Sequence, residues 1–113
     1  MDNLIKYREI VKSVLTYYYK LDKEQPSSGV DPFIVFDEVR DHYLWLQVGW
    51  DQTGRTCGST VYIRLCDGKV WVEEDLTEDG ITWDLLKLGV EKSDIVLGFH
   101  HPRERALTEF SVA

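Results

Sequence analysis

The chain has 113 residues, 43% of them hydrophobic, with 13 basic and 20 acidic side chains and a net charge of −7. That length makes one domain, which buries roughly 65% of the surface its unfolded form exposes and so needs no disulfide or metal staple. The composition excludes a disordered chain, a membrane span of about 18 apolar residues and a broad basic face for nucleic acid.

The first predicted element is a helix capped by Asp2 or Asn3. Leu4, Tyr7, Val11, Val14, Tyr18 and Leu21 recur at helical spacing, and Ile10 and Tyr17 widen the stripe. Lys6, Glu9, Lys12, Ser13, Lys20 and Lys23 take the other side. Gln25-Pro26-Ser27-Ser28-Gly29 ends the helix in a loop. Four strands follow. Residues 33–36 are short and apolar. Residues 42–50 alternate, with Leu44, Leu46, Val48 and Trp50 on one face and Tyr43, Trp45 and Gln47 on the other. Asp51-Gln52-Thr53-Gly54 turns the chain into residues 56–66, where Val61, Ile63 and Leu65 share a face. Asp67-Gly68 is a two-residue hairpin signal, and residues 70–72 return.

A second helix is expected next, capped by Thr77 or Asp79, with Ile81, Leu85 and Leu88 as its buried edge and Gly89 at its C-terminal stop. Ile95-Val96-Leu97 is too short for a free helix and reads as a strand or buried turn. The tail carries Pro102, which is expected to keep it out of helix. The fold class is therefore α+β: an antiparallel β-meander of four or more strands packed with an N-terminal helix and a second helix, in a single domain spanning 1–113.

No motif among these elements supplies an active site. His100 and His101 are adjacent, so in an extended chain they point apart and chelate poorly. Glu73, Glu74, Asp75, Glu78 and Asp79 lack the spacing of a calcium loop, and carboxylates gather at a helix N-terminus for its dipole. Asp41 and His42 could be half of a catalytic dyad, but no nucleophile elbow accompanies them. Arg40 has a simpler use in a carboxylate pair that holds the turn. Arg55-Thr56-Cys57-Gly58-Ser59-Thr60 resembles a phosphate loop only superficially, since it lacks the lysine. Cys57 and Cys66 form no C-x-x-C pair and are expected to be small buried thiols. No catalytic residue, no metal and no cofactor is expected. The opening residues lack the basic-then-apolar order of a secretory signal, so a cytoplasmic location is expected.

Several longer runs carry a family resemblance. Phe36-Asp37-x-x-Arg40-Asp41-His42-Tyr43, Val48-Gly49-Trp50-Asp51 and Asp67-Gly68-Lys69-Val70-Trp71-Val72 occur in order. Asp75-x-Thr77-Glu78-x-Gly80-Ile81, then Gly89-Val90-x-x-x-Asp94-Ile95-Val96-Leu97-Gly98-Phe99, and the tail Pro102-x-x-Arg105-x-x-Thr108-x-Phe110 complete the set. Over nearly its whole length the chain resembles the XisI family. Two positions depart from it: Tyr62 stands where relatives often have histidine, and Trp83 where a smaller residue is common. The resemblance implies a controlling factor for excision of the fdxN DNA element in heterocyst-forming cyanobacteria, associated with XisH, a nuclease-like protein, and with a separate recombinase. It supplies no catalytic residues.

The expected function is that of a non-catalytic accessory protein that binds a XisH-like partner and so controls DNA excision. A direct DNA-binding accessory factor, or a subunit of a composite nuclease, are the alternatives. Direct nucleic-acid binding is disfavoured by charge: outside residues 1–25 the chain carries eight basic against sixteen acidic groups. Partner-binding candidates are Arg40, Asp41 and His42 at the first turn, and Phe99, His101, Arg103, Arg105 and Phe110 in the tail, with Arg105 alternatively paired to Asp41 or Asp75 of its own chain. Large apolar groups on both faces of residues 42–50 also predict a homodimer.

Overall fold

A computed structural model describes residues 3–25 and 29–113. The capping candidate Asp2 and the loop residues Pro26, Ser27 and Ser28 lie outside the described residues. Helix α1 spans Asn3–Glu24. Strands β1 (Val30–Asp37), β2 (His42–Asp51), β3 (Gly54–Cys66) and β4 (Lys69–Asp75) follow, then α2 (Thr82–Leu88), β5 (Ile95–Leu97) and a short α3 (Pro102–Arg105). The five strands form one sheet in the order β1-β2-β3-β4-β5. No described helix is long and apolar enough to cross a membrane.

Strands β1 to β4 are the expected antiparallel meander, because each is joined to the next by a tight turn. The expectation of a purely antiparallel sheet needs correction at β5, which pairs parallel with β4, Val70 opposite Ile95 and Val72 opposite Leu97. Parallel neighbours need a crossover, and residues 76–94 with α2 provide it. The sheet is therefore mixed.

One side of the sheet is closed. Tyr7, Ile10, Val11, Val14 and Leu15 of α1 pack on Tyr43 and Trp45 of β2, Val61, Ile63 and Leu65 of β3, and Val70 and Val72 of β4. Ile81, Leu85, Val90, Ile95 and Leu97 complete this inner core. The helical stripe is thus buried at its centre only: Leu4, Tyr17 and Leu21 are exposed, while Leu15, which the spacing did not single out, is fully buried.

Helix α2 departs from expectation in its cap and in part of its buried edge. Neither Thr77 nor Asp79 caps it; Ile81 precedes its first turn without a side-chain cap. Asp75 organises that approach instead, accepting hydrogen bonds from the Thr77 and Ile81 amides at 3.0 and 2.7 Å. Its last residue, Leu88, is exposed. Gly89 does end it as expected, in the left-handed region at φ 115°, with Val90 N–H donating to the Leu85 carbonyl. A second glycine permits a close backbone crossing: a Cβ on Gly49 would stand 1.9 Å from the Gly29 carbonyl oxygen, which accepts from Trp50 N–H.

Candidate functional site

The opposite, outer face of the sheet follows from the pleat and the register. Phe33 and Val35 of β1 stand opposite Leu46 and Leu44 of β2, and Tyr62 of β3 stands opposite Leu44. With Val48 and Trp50 they form an apolar field on which no described helix lies. Phe33, Val35 and Trp50 are exposed, and Leu44, Leu46 and Val48 are half-buried.

Farther along the same face, His42, Arg64, Trp71 and Val96 stand level across β2, β3, β4 and β5. Here the face is polar and covered. His42 Nδ1 lies 2.8 Å from the Tyr62 hydroxyl. Arg64 pairs with Glu73, which holds the guanidinium charged and raises its pKa. Arg64 also stacks on Trp71, its guanidinium carbon 5.0 Å from the ring centre, and Arg105 stacks there at 5.3 Å. The Trp71 indole N–H is buried with no hydrogen-bond partner among the described residues.

Arg105 thus has a definite task. Its guanidinium donates to the backbone carbonyls of Leu97, His100 and Gly98, tying the tail to β5. Neither Asp41 nor Asp75 is its partner, contrary to the alternative drawn from the sequence. The expectation that Pro102 excludes helix is also corrected. Proline occupies the first position of α3, where no intrahelical N–H is required, and His101 Nδ1 caps the helix by accepting from Arg103 N–H at 3.1 Å. Phe110 packs against the inner core, and Ser111 bridges to Val96. Phe99, His101 and Arg103 remain exposed.

The first turn is held by a separate cluster. Arg40 is exposed and pairs with Asp37 at 3.1 Å. Asp41 adopts φ 61° and accepts from Arg8 of α1 at 2.9 Å and from the Tyr43 hydroxyl at 2.7 Å. Burial acts to raise the Asp41 pKa, but the Arg8 and Tyr43 hydrogen bonds outweigh it and hold the carboxyl below its ordinary value. Burial, and then donation to Asp41, push the Tyr43 hydroxyl upward. Asp41 and His42 therefore turn to different partners and form no dyad.

Arg105 of the tail stacks on Trp71, which stands level with His42 of the first turn, with β3 between them. The sequence does not single out Arg64, and it offers Glu73 only within an acidic run and Trp71 only within a family motif. Their shared face becomes visible only through the strand register. Among the described residues no group of three or more His, Cys, Asp or Glu side chains could hold a metal ion. His100 lies beside Glu104, Glu74 hydrogen-bonds Ser59, and the two cysteines are free, Cys57 exposed and Cys66 half-buried rather than buried.

The XisI protein family model matches residues 1–112. The chain belongs to the XisI family. A XisI-like protein from Anabaena variabilis superposes with a TM-score of 0.89 at 35% identity, covering 97% of this chain and 99% of that one. The fdxN element excision controlling factor XisI from Anabaena variabilis superposes at 0.86 with 40% identity, covering 99% and 100%. No curated protein matches the chain.

Proposed function

We propose that this XisI-family chain is a non-catalytic accessory protein that controls excision of a DNA element by binding a XisH-like, nuclease-like partner. The observation that carries the reading is the end-to-end likeness, at 40% identity, to a protein named as the controlling factor of fdxN element excision. The disposition of the polar residues supports control by contact. Asp41, His42, Arg64 and Arg105 are spent on holding the chain's own turns and tail. Phe99, His101 and Arg103 stand exposed in the tail near Arg105, aromatic rings and a cation suited to an acidic protein surface. A net charge of −7 disfavours phosphate as the target.

The test is direct. The purified chain is titrated into a XisH-like protein by calorimetry, and separately into DNA across a range of salt. A stable protein complex with no salt-sensitive DNA binding is expected. Arg103→Ala should keep the fold and lower affinity for the partner by about 2 kcal/mol, as loss of an arginine anchor does. DNA retention that weakens steeply with salt, with no protein complex, would replace this reading by the direct-binding one.

A further inference from the structure

We infer that the apolar half of the outer face is the interface between two copies of this chain, packed sheet on sheet about a twofold axis that runs along β2. Three observations lead there. The first is extent. A standard interface takes ~800 Å² from each partner, and the exposed apolar side chains of this face are large and adjacent. Phe33 is 47% exposed, Val35 49% and Trp50 64%. They lie in one field with Leu44, Leu46 and Val48.

The second is that the free edge is a poor alternative. Strand β1 ends the sheet, so a second copy could in principle extend it there. Pro32 sits within β1 and has no N–H to offer, the usual device against edge pairing. The face remains.

The third is charge, and it selects the axis. On the outer face Asp31 and Asp37 flank the apolar field along β1, and Arg55 and Arg64 flank it along β3. Asp37 is level with His42 and Arg64; Asp31 is level with Val48 and Cys57, two residues from Arg55. A twofold along β2 lays the β1 flank of one copy over the β3 flank of the other. Asp31 then comes within two residues of the other copy's Arg55, about 7 Å along a strand, which an extended arginine spans, while Asp37 and Arg64 keep their own partners, Arg40 and Glu73. Asp31 has no partner among the described residues, and Arg55 rests on Trp50 at the rim. A twofold across the strands would instead stack aspartates on aspartates and arginines on arginines. It would also bring the two tails together over β4 and β5, whereas the axis along β2 sets each α3 beyond the other copy's β1. Sheets so packed keep their strands within about 30° of each other, which leaves Leu44 and Leu46 against their own symmetry mates.

The intact chain is measured alone by sedimentation and light scattering at about 50 µM, where a Kd of roughly 1 µM leaves little monomer. A mass of two chains is expected. Val35→Glu, at an exposed position, should give a monomer with unchanged circular dichroism. Asp31→Arg and Arg55→Asp each place like charges together twice per dimer and should weaken association about tenfold or more. The double variant D31R/R55D should restore it to within about threefold. A wild-type monomer overturns the proposal, including the case in which the face becomes protected only when a XisH-like protein is added. A Val35→Glu chain that stays dimeric overturns the assigned face, and losses that add in the double variant overturn the axis. Because the chain is studied alone, these outcomes are independent of whether it binds a XisH-like protein.

Discussion

The two faces of this sheet are built from the same alternating strands and end in opposite conditions. On the inner face Tyr43, Val61, Ile63, Val70 and Val72 are fully buried beneath α1 and α2. On the outer face the next residues along the same strands, Leu44, Leu46, Tyr62 and Trp71, meet either solvent or the short tail. Alternation makes a face apolar; it does not supply the element that covers it. A chain with one long helix and one short one closes a single side. The tail closes part of the other with three carbonyl contacts and a stacked arginine rather than with a hydrophobic layer.

If the inner face is the folding core, Leu15→Ala should be the most damaging change. Leu15 is fully buried on α1, and urea unfolding should show a loss of about 3 kcal/mol from lost transfer energy and the cavity left behind. A loss below about 1 kcal/mol would mean that α1 contributes little to closing that face.

The Arg8–Asp41 contact joins α1 to the first turn. Asp41→Asn keeps a residue type that tolerates the left-handed conformation while removing the charge. At neutral pH it should cost about 2 kcal/mol, the scale of a charge-assisted hydrogen bond. The Asp41 pKa is lowered in the folded chain, so its contribution is present above the unfolded value of about 4 and is lost as pH falls through the folded value. The stability difference between wild type and Asp41→Asn should therefore shrink below about pH 4. A difference independent of pH would separate the turn's stability from the ion pair.

On the covered half of the outer face, Arg105→Ala frees three carbonyls and uncovers Trp71. A loss of about 1.5 kcal/mol is expected, with faster amide exchange confined to the tail. Partner affinity should fall only as far as folding does, in contrast with Arg103→Ala.

On the open half, Phe33→Ala should change the unfolding free energy of dilute protein by less than about 0.5 kcal/mol, since an exposed side chain leaves no cavity. The same variant should weaken self-association measured at high concentration. A large loss in dilute protein would mean that the outer face supports the monomer after all.

Much of this architecture is local and was therefore legible in the residues. The Asp67-Gly68 hairpin, the alternation of β2 and β3, the helical stripe of α1 and the Gly89 stop each depend on neighbours within a few positions. The family motifs, being linear, were legible too. What depended on distant contacts was not. Alternation showed that β2 had two apolar faces, but which one α1 would take was decided by packing with β3 and β4. Residues 95–97 read as a strand or a buried turn until the crossover through α2 set them as a strand parallel to β4. Arg105 was visible as a basic side chain in the tail, but its role rests on backbone carbonyls that converge only when the tail folds back over β5. That Arg64, Trp71 and Glu73 come together was not legible, because their common face is a property of strand register. Spacing along the chain determined which residues share a helix or strand face; the long-range pairing of strands, with its loop-closure cost repaid only by burial, decided which faces meet and which remains open.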